Sequence, residues 1–380
     1  MTIKYFFSLF LPIALSTLVS CKGGNAFVSA DGGDTLHLKY ADHLSLVKYP
    51  DYVKATVRNP WDTTAVLHTY VLVSDSVSVP EGLPEEWTVV RTPLKSALIY
   101  SSVHNSLVTE LGALDAISGV CDAQYIHQKS LADRIAGGRV ADCGTGTSPN
   151  IEKIISLNPD GVMLSPYENS GTYGRLGQLG IPLIECADYM ETSPLARAEW
   201  MILYGMLFDR EEEARRLFDA TEREYNALKN LTEGVADRPK VLVDRLYGQA
   251  WYVPAANSTM GIFIKDAGGE NPFAVHDRNG SVGLAGEQVL YQAEDADVWL
   301  MRYAQDSDKT MRELASDNAI YTQFKAFKDN RVYGCNTSRV FFYEDIPFHP
   351  QWLLRDMISI LHPGLVAEKE GKKYFTQLEQ

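Results

Sequence analysis

The sequence predicts an α/β protein: two αβ lobes with mainly parallel central sheets, joined by one long helix and preceded by a small β extension. Three observations predict this. Short apolar strands alternate with helical stretches from residue 96 onward, the pattern of a parallel sheet covered on both faces. A charged amphipathic stretch at 209–234 interrupts that series once, and the alternation resumes after it. Ahead of both, residues 36–75 carry strand-like runs divided by the turn signals Pro50-Asp51 and Asn59-Pro60.

Composition supports this frame and narrows the partners. The chain has 380 residues, 45% apolar and 22% charged, enough to bury more than one core. Lys+Arg 35 against Asp+Glu 49 gives a net charge of −14, which argues against nucleic acid, because phosphate backbones require a basic surface. Five cysteines are too few for a disulfide scaffold. Beyond residue 20 nothing approaches the roughly 18 consecutive apolar residues of a membrane span.

Residues 1–20 read as a signal peptide, with Lys4 as its positive start and an apolar run at 5–18 too short to cross a bilayer comfortably. Leu18-Val19-Ser20-Cys21 resembles a bacterial lipobox, whose cysteine becomes the lipidated first residue. That resemblance makes Cys21 the membrane anchor, and 21–35, opening Lys22-Gly23-Gly24-Asn25, a flexible tether. An ordinary signal peptide with an incidental cysteine is the competing reading. The tether lacks the acidic cluster expected of some surface-exported lipoproteins, which favours a periplasmic face. Nucleotide cofactors are missing from that compartment, and the chain carries no Walker or dinucleotide fingerprint.

The β extension, 36–90, has strands expected at 43–47, 52–58 and 67–74, with Pro80, Gly82 and Pro84 at its exit. In the first lobe, 91–208, strands are expected at 97–100, 117–121, 161–164 and 181–185, and helices at 105–112, 151–157 and 173–179. Ser193-Pro194 opens a helical block with Trp200, Leu203, Tyr204 and Leu207 on one face. The connecting helix, 209–234, begins with Asp209 and Glu212 at capping-box spacing. The helix within this segment, about 22 residues, corresponds to roughly 33 Å, enough to cross a domain. The second lobe, 235–366, has strands expected at 241–246, 298–301 and 331–335 and helices at 259–267, 286–292, 321–327 and 352–361. Residues 367–380 read as a C-terminal tail.

Several motifs then point to a family. Asn150-Ile151-Glu152-Lys153-Ile154-Ile155-Ser156-Leu157-Asn158-Pro159-Asp160, followed by a strand and by Leu179-Gly180-Ile181-Pro182, matches an N-[LI]-E-x-I-x-x-L-x-P-D stretch. Ser258 to Gly269 and Ala267-Gly268-Gly269-Glu270-Asn271 match an NS-x-M…DAGG run and its GGxN turn, and Glu287-Gln288-Val289-Leu290 matches a surface helix. In order and spacing the chain resembles the helical-backbone periplasmic binding proteins of ABC importers, which carry ferric siderophores, haem or cobalamin. The likeness runs from about Arg91 to Leu365. It implies a ligand cleft between two lobes and a stiff helix that limits closure to a small hinge motion. It also implies an ABC permease with its ATPase as partner, docked through one glutamate on each lobe. Glu287 matches the second-lobe position; Glu168 is the nearest carboxylate to the first-lobe one. A monomer with no cofactor of its own is expected.

Ligands of parallel αβ lobes sit at the carboxyl ends of strands. Arg245, Arg302 and Arg339 follow three second-lobe strands and can converge on an anionic ligand, each offering a planar fork to carboxylate or catecholate oxygens. They can equally pair with Asp244, Asp306 or Glu344. Aromatic residues interleave with them: Trp251, Tyr252, Tyr303, Phe341, Phe342 and Tyr343 in the second lobe, Tyr125 and Tyr167 in the first. Such faces suit a flat, metal-bearing ligand, with Trp251 and Tyr303 the foremost candidates. His104 follows the first strand of the main body and reads either as a hydrogen-bonded structural residue or as a contact to a metal complex. Bare zinc or manganese would need several such ligands converging. Cys121, Cys143 and Cys186 fall near strand ends and read as buried small hydrophobes, with a Cys121–Cys143 disulfide permitted by the compartment; Cys335 ends a second-lobe strand. A hydrolase or chelatase on the same scaffold is the competing class, without an HExxH, GxSxG or paired-carboxylate motif to carry it. A ferric siderophore is favoured, because three arginines exceed the needs of near-neutral cobalamin; haem, with two propionates, is the other credible cargo.

Overall fold

Alternating apolar residues build the first sheet. The computed structural model describes residues 32–168, 173–367 and 372–380, so the leader, Cys21 and the tether up to residue 31 lie outside the described residues. β1 (Asp34–Leu36), β2 (Leu44–Lys48), β3 (Val53–Arg58) and β4 (Val66–Ser74) pair antiparallel in sequence order, and β5 (Thr88–Thr92) adds parallel to β4. Leu46, Ala55, Val57, Tyr70 and Val90 belong to one continuous core with Ala97, Ile99, Leu107 and Trp200 of the first lobe. The extension is therefore fused to that lobe. Its entry turn is fixed by two buried carboxylates. Glu199 accepts the backbone N–H groups of Lys39, Tyr40 and Ala41 at 2.7–2.8 Å, and Glu191 accepts those of Asp42 and His43 and the Trp200 indole N–H. Buried acids are tolerable when saturated with donors in this way.

The first lobe contains β6 (Ala97–Ile99), β7 (Ile117–Val120), β8 (Ala141–Asp142), β9 (Gly144–Thr145), β10 (Ser148–Pro149), β11 (Gly161–Leu164) and β12 (Leu183–Glu185). Its main sheet runs β12-β11-β6-β7-β8, all parallel, with β9 and β10 forming a small antiparallel ribbon at its edge. Helix Ser102–Glu110 starts directly after β6, capped by the Ser101 hydroxyl, which accepts the Val103 N–H. Asn150 caps helix Ile151–Leu157. The helix expected at 173–179 is only a 3-10 turn, Leu176–Gln178. Tyr173 and Gly174 both sit at positive φ, 54° and 56°, which no right-handed helix accommodates.

Helix Glu211–Thr232 joins the lobes with 22 residues. Asp209 does not cap it: that residue is itself left-handed (φ 54°), and Arg210 occupies the cap without a side-chain bond. Glu211, Glu212 and Glu213 in the first turn offset the positive end of the helix dipole instead. Phe218, Tyr225 and Leu228 form its buried stripe. It packs on helix Met201–Leu207 of the first lobe and on helix Pro350–Leu361 of the second, where Arg355 Nη2 lies 2.7 Å from Glu224 Oε1.

The second lobe contains β13 (Val241–Val243), β14 (Leu246–Tyr247), β15 (Ala250–Pro254), β16 (Ser281–Leu284), β17 (Val298–Tyr303), β18 (Val332–Asn336) and β19 (Thr376–Gln377). β13-β17-β18 is parallel, β19 closes its edge antiparallel, and β14-β15-β16 forms a separate antiparallel sheet. The C-terminal stretch is thus no free tail after residue 372: Tyr374, Phe375 and Leu378 are buried, and Asp356 accepts the N–H groups of Lys373, Tyr374 and Phe375. The GGxN turn requires its first glycine. Gly268 has φ 73°, and a Cβ there would lie 2.7 Å from His362 and 3.1 Å from Thr232. The helix expected at 321–327 splits into a 3-10 turn, Ala319–Gln323, and helix Lys325–Lys328. Among the described residues no helix is long and apolar enough to cross a membrane.

Candidate ligand site

The strand ends of the first lobe form a cavity of about 820 Å³. Tyr100, Ser101 and Ser102 reach it from the end of β6, Asp122 and Tyr125 from β7, and Ser165 and Tyr167 from β11. Tyr125 and Tyr167 are 61% and 60% exposed, so their rings stand free for a flat ligand. The Tyr100 hydroxyl is buried and has no hydrogen-bond partner in the protein, and burial raises its pKa, leaving a neutral donor beside the cavity. The start of helix Ser102–Glu110 adds a partial positive charge there. Asp122 is already engaged: its Oδ2 accepts the Gly146 N–H at 2.9 Å. Sequence reasoning passed over Tyr100, Ser101, Ser102 and Ser165; their position directly after an apolar strand was the available signal.

The second lobe meets this rim through Glu344, whose Oε1 accepts the Ser102 hydroxyl at 3.0 Å. A second bridge joins His349 Nε2 to Glu110 Oε2 at 2.7 Å. The three arginines do not behave alike. Arg302 lies along Asp244, with Nε 2.9 Å from Oδ1 and Nη2 on Oδ2, while its guanidinium faces Phe342 and Tyr343. Burial opposes its charge, but the Asp244 bond and field outweigh burial and raise its pKa. Arg339 is exposed and pairs with Asp308 at 3.2 Å. Arg245 is half-buried, and its Nε is buried with no hydrogen-bond partner in the protein. Tyr343, half exposed, stands beside Arg302, whereas Tyr252 is exposed on the separate β14-β15-β16 sheet, opposite Gly283.

Residues 98–338 match the signature of the periplasmic binding protein family. The chain belongs to that family. This binding protein is 27% identical over 361 residues to an uncharacterized lipoprotein of Methanocaldococcus jannaschii, covering 89% of the chain and 84% of the relative. It is 24% identical over 243 residues to a high-affinity heme uptake system protein of Staphylococcus aureus, covering 63% and 73%. Its fold is similar to the crystal structure of an ABC-type Fe3+-hydroxamate transport system from Saccharomonospora viridis, at a TM-score of 0.54 and 19% identity over 71% of this chain and 94% of that one.

The two foremost aromatic candidates belong to the core of this binding protein, not its cleft. Trp251 is fully buried, donates its indole N–H to Val243 O at 2.8 Å and packs against Trp299, Tyr321 and Phe324. Tyr303 is 5% exposed, and its hydroxyl accepts the Lys309 N–H. Alternation along β15 turns Trp251 inward, and β17 is buried along almost its whole length, so both rings belong to one core cluster. His104 is likewise internal. Its Nε2 lies 2.8 Å from Asp188 Oδ1, which also accepts the Tyr204 hydroxyl, while Arg197 Nε bonds Oδ2 at 3.0 Å. Being on the inner face of its helix, His104 is the structural residue of its two readings. Cys121, Cys143, Cys186 and Cys335 are buried free thiols, so no Cys121–Cys143 bridge forms. Burial pushes Cys121 and Cys335 up to about 12, far from thiolate ligands at neutral pH. Among the described residues no group of His, Cys, Asp and Glu is arranged to hold a metal ion. Glu168 and Glu287 are both exposed on their separate lobes.

Proposed function

We propose that this binding protein captures an iron complex, a ferric siderophore foremost, and delivers it to the permease and ATPase of an ABC importer. The observation that carries the reading is the tyrosine- and serine-rich cavity at the first-lobe strand ends, which Arg175 also lines and whose Ser102 is bonded by Glu344 of the second lobe, the lobe that carries Arg245 and Arg302 at its strand ends. Tyrosine rings supply flat apolar faces, hydroxyls and the helix start supply donors, and guanidinium groups supply positive charge. That combination suits a bulky complex whose oxygens are partly anionic. Haem is the second reading, favoured by the name of the Staphylococcus aureus relative. Cobalamin, nearly neutral, makes less use of the arginines.

The name of the Methanocaldococcus relative supports a lipid at Cys21 and hence a chain held at the periplasmic face of a membrane. Tryptophan-fluorescence and absorbance titrations against a ferric catecholate, a ferric hydroxamate, haem and cobalamin test the cargo. Saturable binding of an iron complex is expected, and cobalamin alone binding would replace the reading. For the anchor, Cys21→Ser is expected to move the protein from the membrane to the soluble fraction; continued sedimentation with membranes would refute lipidation there.

A further inference from the structure

A second cavity, of about 780 Å³, lies between the N-terminal sheet and the first lobe. Trp61, His68 and Thr88 reach it from the extension, and Tyr167, Tyr173 and Glu185 from the lobe. Tyr167 and Tyr173 also line the strand-end cavity, so these two side chains form the partition between both spaces. The extension lies outside the stretch that matches the family, which begins at residue 98. We propose that the extension supplies a second ligand compartment, which receives a neutral or cationic hydrogen-bonding arm of the bound complex. This rests on the iron-complex reading given above.

Two observations carry it. First, the compartment is preformed rather than a loose crevice between packed units. The Tyr173 hydroxyl donates to Glu185 Oε1 at 2.6 Å, Glu185 Oε2 lies 3.2 Å from His68 Nδ1, and His68 Nε2 lies 2.7 Å from Thr88 Oγ1. His68 also stacks on Tyr70 at 4.4 Å, and Tyr70 holds β12 by donating to Leu183 O and accepting the Glu185 N–H. This chain runs from the extension through the wall to the partition, so ligand binding need not organise it. Second, its charge is one-sided. Among the described lining residues Glu185 is the sole formal anion, no lysine or arginine faces it, and the one basic side chain is His68, which Glu185 already holds at 3.2 Å. An anionic arm entering here would meet that buried carboxylate. An ammonium, amide or hydroxyl arm would find acceptors in Glu185 and the Thr88 hydroxyl, and apolar faces in Trp61 and Pro182.

The test uses the full chain and two ferric trihydroxamates that differ only at a terminal arm, an ammonium in one and a succinylated carboxylate in the other. Calorimetric affinities for the ammonium form are expected to be at least tenfold the higher. Thr88→Trp, which fills the compartment, should remove that preference and weaken the ammonium complex at least tenfold. Glu185→Gln, which keeps shape and the Tyr173 bond, should remove the preference while preserving the thermal melt, and so covers a misfolded tryptophan variant. Equal affinities for the two arms, unaltered in Glu185→Gln, overturn the compartment while leaving iron-complex capture intact. Binding of haem alone, with Thr88→Trp like the wild type, does the same. A wild-type chain that binds neither trihydroxamate nor haem overturns the capture reading and this inference with it.

Discussion

The two lobes handle charge at their strand ends in opposite ways. In the first lobe the strongest ionic cluster is internal: Asp188, fully buried, gathers His104, Arg197 and Tyr204 behind the cavity. The rim in front of it is mostly uncharged, tyrosines and serines with Asp122 and Arg175 among them. In the second lobe the charged pairs reach solvent instead, where Asp244 holds Arg302 and Asp308 holds Arg339. The first lobe is thus a shaped surface on a charged foundation, and the second a charged surface on an aromatic foundation of Trp251, Trp299 and Tyr321. The difference teaches that a residue's place at a strand end does not decide its availability. Its neighbours' demands do.

The largest expected effect strikes the internal cluster. Asp188→Ala would strand Arg197 and His104 without their acceptor, and breaking a buried ionic network this way costs about 3–5 kcal/mol. A denaturant melt of the ligand-free protein measures it, and a loss under about 1 kcal/mol would deny the cluster its foundation role. The same group sets an acid limit. Burial alone would raise the Asp188 pKa, but the fields and bonds of His104, Arg197 and Tyr204 prevail and hold it well below the usual range. A depressed carboxylate contributes stability fully above its unfolded value, about 3.9, and loses it as pH falls below that value. Melting temperatures of the wild type should therefore drop below about pH 4, and Asp188→Asn, weak from the start, should lack that part of the fall.

A middle-sized effect separates the arginines. Arg245 keeps a buried donor without a protein partner, whereas Arg302 already spends its Nε and Nη2 donors on Asp244. Arg245→Ala is expected to weaken an anionic ferric tricatecholate by about 1.5–3 kcal/mol, the worth of one charge-assisted bond. Arg302→Ala should weaken it less and should also lower ligand-free stability by about 1 kcal/mol, because Asp244 loses its pair. Calorimetry and melts on both variants decide the order; an Arg302 effect on binding exceeding that of Arg245 would reverse the assignment.

These contrasts also mark how far the sequence was legible. Strand and helix alternation located both lobes, because short apolar runs between turn residues have few other solutions in a chain this long. The motif at 150–160 placed its helix to the residue, since Asn150 and Asn158 signal start and stop through their own chemistry. Tertiary pairing was not legible. Nothing local in Trp251 says that β15 belongs to a second sheet folded over the first, so its ring reads equally as a cleft residue or a core one. Nor does 372–380 announce an edge strand, because Asp356, sixteen or more residues upstream, supplies the reason. Arg302 and Asp244 are 58 positions apart, and only folding reveals that one neutralises the other. Tyr125 and Tyr167 were accessible to sequence reasoning because a strand end followed by a loop aromatic is a local feature.

The smallest expected effect on ligand binding belongs to the surface glutamates, and it is the sharpest test of delivery. Glu287 is exposed in the first turn of helix Gly286–Ala293, where the dipole favours an acid whether or not a partner exists. The same helix start is already stabilised by Gln288, whose Oε1 accepts the Ala285 N–H at 3.0 Å, so exchanging Glu287 leaves the helix its cap. Glu287→Arg should therefore fold and bind an iron complex within about twofold of the wild type, as expected for an exposed residue away from the cavity. If Glu287 docks to cationic residues of the permease, the reversed charge should abolish ligand-dependent stimulation of the ATPase in reconstituted membranes. Like charges set against each other at an interface rim act chiefly by slowing association, so raised salt should restore part of the stimulation. Glu168→Arg on the first lobe should behave the same way if delivery needs a carboxylate on each lobe. Normal stimulation by Glu287→Arg would remove that residue from the docking surface, and normal stimulation by both would count against an importer as the destination of the cargo.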